Sequence, residues 1–131
     1  MVYQASSVQG QADCVNATVT LGAEAGDTIP ITIQLLDAAG RDLDYVEEVS
    51  IAIFANVGRT AYATSGGSTG IEIGTDGAVQ AIVANKYFKA TCEIDGDIDL
   101  TWTDTAHEVA FLGLKLPNGK WVMSAALTTA A

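Results

Sequence analysis

At 131 residues the chain has the length of one ordinary domain, enough to bury a single core without staples. Its composition, 49% hydrophobic and 17% charged, excludes a disordered acidic tail, and no apolar run approaches the ~18 residues of a membrane span. A formal charge of −10, with six dispersed Lys and Arg in all, excludes the clustered phosphate contacts of a nucleic-acid binder.

The opening MVYQASSVQGQADC carries no strand pattern and predicts an N-terminal extended arm over residues 1–14, ahead of a domain over residues 15–131. It lacks the basic and apolar regions of a secretory leader. The expected compartment is therefore a reducing cytoplasm, where Cys14 and Cys92 stay free thiols and the sequon at Asn16 goes unused. Val15, Ala17, Val19 and Leu21 alternate into a first strand. Ile29, Ile31, Ile33 and Leu35 then share one face, against Thr28, Pro30, Thr32 and Gln34 on the other. Pro30 cannot donate to a ladder, which predicts a sheet edge or a bulge there. DAAG (37–40) turns the chain, and Val49, Ile51 and Ile53 alternate in a further strand. RTAYAT (59–64) is a short strand candidate, and SGGSTG (65–70) a permissive loop. In IEIGTDGAVQAIVA, Asp76 and Gly77 lie between alternating apolar runs and predict a hairpin.

The last third is the most regular. Ile98, Leu100 and Trp102 alternate with Asp97, Asp99, Thr101 and Thr103. After a turn at Ala106 and His107, Ala110, Leu112, Leu114 and Leu116 repeat the period. In PNGK, a two-residue type I′ turn at Asn118 and Gly119 predicts Leu116 opposite Trp121, Leu114 opposite Met123 and Leu112 opposite Ala125, all on one buried face. A hairpin joining the two preceding strands then sets Asp97 near Lys115. No stretch has a helical period. Short, evenly spaced strands predict an all-β antiparallel β-sandwich.

The row Asp95, Asp97 and Asp99 in EIDGDIDLTWTDT invites a metal reading. An EF-hand needs Gly and a bidentate Glu where Leu100 and Ala106 stand, and carboxylates ~7 Å apart along a strand are too dispersed for one ion. A solvated strand face with no metal is the expectation. His107, the single histidine, sits in a turn, and no nucleophile elbow or phosphate loop is present, so no catalytic residue and no cofactor are expected. Trp102, Trp121, Tyr62, Tyr87 and Phe88 are candidates for a carbohydrate-stacking platform, but the register above puts both tryptophans in the core.

The ordered series VTLGAEAGDTIPITIQLLDAAGRDL, GTDG, EIDGDIDLTWTDT and LKLPNGKWVMS resembles small virion structural proteins of tailed bacteriophages and prophages, over about residues 19–124. DGDIDL and LPNGK are its most specific parts. The resemblance implies a single immunoglobulin-like β-sandwich without enzymatic activity. It further implies a head decoration (cement) protein on the capsid surface, made in the host cytoplasm and oligomeric. Its partners are then the major capsid protein and neighbouring copies of itself, with no nucleic acid and no membrane. The arm residues Met1, Val2, Tyr3, Gln4 and Val8 are the expected inter-subunit contacts. The alternative implied is a tail- or fibre-associated immunoglobulin-like binding module that contacts host surface glycans through exposed aromatics and loops such as SGGSTG.

Overall fold

The alternating runs become nine strands in a computed structural model that describes residues 13–64 and 70–129. They are β1 (Asn16–Leu21), β2 (Thr28–Leu36), β3 (Glu48–Phe54), β4 (Gly70–Ile73), β5 (Ala78–Val83), β6 (Tyr87–Thr91), β7 (Asp97–Thr103), β8 (Ala110–Lys115) and β9 (Trp121–Leu127). No helix occurs among the described residues, so none is long and apolar enough to cross a membrane. Two antiparallel sheets form, one of four strands in the order β1-β2-β7-β4 and one of five in the order β9-β8-β3-β6-β5. The all-β sandwich is thus as the alternation predicts. The expected contacts at Met1, Val2, Tyr3, Gln4 and Val8 lie outside the described residues.

Each sheet turns one apolar face inward. Ile29, Ile31, Ile33 and Leu35 of β2 and Ile98, Leu100 and Trp102 of β7 meet Val49, Ile51 and Ile53 of β3 and Leu112 and Leu114 of β8. Burying a side chain of this size contributes about 1.5–3 kcal/mol. Trp102 carries the largest area into this layer, but its buried indole N–H finds no acceptor among the described residues. Cys14, assigned to the arm by its sequence, is buried in the same core, with its backbone N–H donating to the Tyr45 hydroxyl at 3.2 Å.

Five local expectations change. Asp76 and Gly77 do not tip a hairpin, because β4 and β5 belong to different sheets and the chain crosses between them. Gly77 has φ of 95°, and a Cβ there would sit 2.8 Å from the Thr91 carbonyl oxygen, so the glycine serves a close crossing. The hairpin lies one strand later, between β5 and β6, with Asn85 in the left-handed region at φ 62° and the Lys86 N–H donating to the Val83 carbonyl at 3.0 Å. RTAYAT forms no strand and contributes one bridge, Tyr62 to Phe54. Pro30 sits in β2, which is flanked by β1 and β7 and is no edge. Its missing N–H faces the place where β1 has ended, at Gly22, whose own N–H donates to the Pro30 carbonyl at 2.8 Å.

The fourth change concerns register. The β8–β9 loop holds three residues, Pro117, Asn118 and Gly119, closed by the Leu116 N–H donating to the Lys120 carbonyl at 2.9 Å. Gly119 alone takes the left-handed position, at φ 87°, as a type I turn followed by a bulge requires. The pairing therefore slips by one residue, to Trp121↔Lys115, Val122↔Leu114 and Met123↔Gly113. A one-residue slip moves a side chain to the opposite face. Trp121 and Met123 accordingly leave the core. Nor do β7 and β8 form a hairpin: they face each other from opposite sheets, so Asp97 pairs with Gln34 and lies away from Lys115.

Candidate functional site

The outer face of the five-stranded sheet is built from the alternate residues of β3, β6, β8 and β9. Register aligns Trp121, Lys115, Ser50, Lys89 and Gln80 in one row and Met123, Gly113, Ala52 and Tyr87 in the next. Although no second sheet of the described residues lies above this face, Ser50, Ala52 and Phe54 are all buried. Side chains from the neighbouring strands cover them. The Tyr87 hydroxyl and the Lys89 ammonium both donate to Ser50 Oγ, at 3.1 and 3.0 Å.

At one end of this face Phe54, Tyr62 and Trp121 form an aromatic cluster. Phe54 stacks on Tyr62 with centroids 5.7 Å apart and planes 4° from parallel, and meets Trp121 edge-on at 5.4 Å. The absent side chain of Gly113 makes room for this, since a Cβ there would stand 2.6 Å from the Phe54 ring. Arg59 and Lys115 place their charges 5.3 and 5.9 Å from the Trp121 ring centroid, within range of cation–π attraction. Arg59 reaches there from a loop in which it has φ of 59°, a conformation that suits glycine or asparagine. Asn56 holds the loop in shape: its carbonyl accepts from the Arg59 N–H at 3.2 Å, and its side chain donates to Thr60 Oγ1 at 2.8 Å. A cleft of about 210 Å³ opens between Arg59, Thr60, Ala61, Tyr62 and Phe54. Of the sequence-stated aromatic candidates, Tyr62 and Trp121 come together here, while Trp102 and Phe88 are buried in the core. Phe54 and Arg59 were missed. The left-handed turn that directs Arg59 leaves no signature in NVGRT.

On the opposite side of the molecule, Asp97 and Asp99 project from the outer face of β7, and the chain crossing at residues 74–77 adds Asp76. Carboxylate oxygens of Asp76, Asp97 and Asp99 all lie within 4.8 Å of one another. Partial burial, the hydrogen bond with Asp76 and the charges of Asp99, Asp76 and Asp95 push the Asp97 carboxyl up to about 6. The Thr75 hydroxyl donates to Asp99 Oδ2, and the Asp99 N–H donates to the Asp76 carbonyl at 2.9 Å. Asp95 stands apart, its Oδ1 accepting from the Asp97 N–H at 3.3 Å within the turn. The set that proximity would offer a cation is thus Asp76, Asp97 and Asp99. Strand spacing alone missed it, because Asp76 arrives from a different connection. Three carboxylates supply a fraction of the six to eight oxygens that Ca²⁺ takes.

His107 is the remaining sequence candidate. It too has a positive φ, 59°, and its Nδ1 lies 3.1 Å from Thr129 Oγ1 and 3.7 Å from Asp27 Oδ1. The Thr129 hydroxyl donates its proton to the Asp104 carbonyl at 2.7 Å, so Nδ1 of His107 must be the donor to Thr129. A Ser-His-Asp arrangement needs the nucleophile and the carboxylate on different ring nitrogens. Here both contacts fall on Nδ1, and the histidine ties Thr129 to the β7–β8 loop.

Both cysteines are free and buried. Burial, with the charge of Glu47 and the neighbouring Cys92, pushes the Cys14 thiol up to about 11, which keeps it protonated and unreactive at neutral pH. No model of a known protein family, no curated protein and no solved structure matches the chain.

Proposed function

We propose that this chain is a structural protein of a tailed-phage particle, a head decoration (cement) sandwich that binds the capsid exterior and neighbouring copies of itself. The observation that carries the reading is strand β5, an edge of its sheet among the described residues. It ends the five-stranded sheet, and all its residues but Val79 are exposed, including Ile82 and Val83 at 53% and 49%. An exposed apolar edge is what a monomeric protein blunts and what an assembling one extends by backbone pairing with a neighbour. The strand order supports the immunoglobulin-like part of the reading. β1-β2-β7-β4 over β3-β8-β9 follows the order ABED over CFG, with the β5–β6 hairpin inserted after the fourth strand. The acidity of the chain keeps unassembled copies apart until a partner surface is met. The test is a reconstruction of particles assembled with the intact chain and with Val83→Lys. The expected result is density for the chain on the head and reduced occupancy for the variant; particles without the chain would overturn the reading.

A second reading, a tail- or fibre-associated binding module for host surface glycans, is favoured by the half-exposed Tyr62 beside Trp121 and Arg59 on the five-stranded sheet. Density on the tail or fibre in the same reconstruction selects it.

A further inference from the structure

We infer that the cleft beside Tyr62 is a binding site for an acidic saccharide, one pyranose ring resting on the tyrosine with its carboxylate on Arg59. This assignment rests on the binding-module reading and names its site and its ligand class. Four observations converge on it. Tyr62 is packed against Phe54 through one ring face and remains 50% exposed, which leaves ring surface in solvent. The polarised C–H bonds of a pyranose are attracted to the electron-rich face of an aromatic ring, whereas a flat hydrophobic partner would demand a larger apolar patch.

Charge points the same way. The protein carries −10 overall with only six Lys and Arg, yet Arg59 and Lys115 converge on a single indole, and Lys89 lies in the same row as Lys115. Among the described residues the ion pairs are Arg41 with Asp37 and His107 with Asp27, and neither involves Arg59 or Lys115. A planar guanidinium left in this state matches a carboxylate through paired N–H donors.

The backbone adds a third observation. Arg59 is held at φ 59° although Gly58 stands next to it, so an arginine occupies the left-handed position that its neighbour would fill without strain. Such a position is strained for an L side chain and is sustained here by the Asn56 bonds to Arg59 and Thr60. Size completes the argument. A volume of about 210 Å³ is below the roughly 300–1,000 Å³ of sites that enclose drug-sized molecules. It admits one ring of a longer chain, and Thr60 Oγ1 at its wall meets the hydroxyls that such a ring presents.

The intact chain, isotopically labelled for amide and indole NMR, is titrated with a glucuronate-containing tetrasaccharide, with the neutral cellotetraose and with a tetraglutamate peptide. The acidic saccharide is expected to shift the amides of residues 59–62 and the Trp121 indole saturably, less so as salt is raised. Cellotetraose is expected to bind about fivefold or more weakly, and Arg59→Gln to lose the same factor, from the ~1 kcal/mol of an exposed charge contact. Tyr62→Ala should remove saturable binding; if that variant fails to fold, the Arg59→Gln comparison decides alone. Unmoved signals at residues 59–62, or tetraglutamate binding as tightly as the saccharide, would overturn the assignment. Either failure leaves the head-or-tail question where the particle reconstruction puts it.

Discussion

Asp97 illustrates how one side chain couples to the whole fold. Its carboxyl is raised from 3.8 to about 6 by partial burial, by the hydrogen bond with Asp76 and by the neighbouring negative charges. The folded protein therefore holds this proton more tightly than the unfolded chain does. The contribution to stability is full below about pH 4, where both states are protonated, and is lost as pH rises through about 6. Asp97→Asn keeps the shape and removes the titration. Thermal unfolding should show the variant gaining on the parent between about pH 4 and 7, by on the order of 1 kcal/mol after solvent screening. Parallel curves for the two proteins across that window would refute a raised Asp97 carboxyl. At the same scale, alternation puts Asp97 and Asp99 on the outer face of the strand, while the arrival of Asp76 was invisible because no local pattern tells where a crossing loop lands.

At the scale of an element, the β8–β9 hairpin decides what the five-stranded sheet shows to solvent. Asn118 and Gly119 suit a two-residue turn, but the chain uses Pro117 as well. The added residue takes Trp121 out of the core and lays it across Lys115 and Phe54. Gly113 then becomes a packing residue, because the Phe54 ring occupies the space of its missing Cβ. Gly113→Ala should cost about 1–3 kcal/mol, the usual penalty of overpacking. It should also change the emission of Trp121, whereas Trp102, buried between the sheets, reports little. A variant with unaltered stability and emission would show that Phe54 moves aside without effort. The turn residues were legible in LPNGK; the loop length was not, because Asn-Gly serves two-residue and three-residue loops alike.

At the scale of the molecule, four of the seven pairings among the described residues are non-local. β2 pairs with β7, β3 pairs with β8 and β6, and β4 pairs with β7, while β1–β2, β5–β6 and β8–β9 join neighbours in sequence. Closing the long loops costs entropy before the core repays it, so refolding from urea should run in about milliseconds to seconds, as for other sandwiches. Stopped-flow fluorescence checks this, and complete refolding within tens of microseconds would contradict the pairing order. Charge is also partitioned at this scale, with Asp76, Asp97 and Asp99 outside the four-stranded sheet and Arg59, Lys89 and Lys115 over the five-stranded one.

What the amino-acid sequence determined by itself was the strand class and the inner faces of β2, β3, β7 and β8, since alternation is a local property and one buried side is enough to enforce it. It did not reveal β6, whose YFKAT pattern puts Tyr87 and Lys89 against Ser50 on the outer face and reads as neither strand nor turn in isolation. The tertiary structure alone decided which strands share a sheet, which loop crosses between sheets, and on which side Trp121 emerges. Those choices depend on how two sheets close over one core, and for Trp121 a single residue in a loop is enough to change its face. The DIDLTWT part of EIDGDIDLTWTDT is a strand, as its alternation predicts, with half-buried aspartates on its outer side; only the packed molecule brought Asp76 to them and drew Arg59, Tyr62 and Trp121 together on the far face.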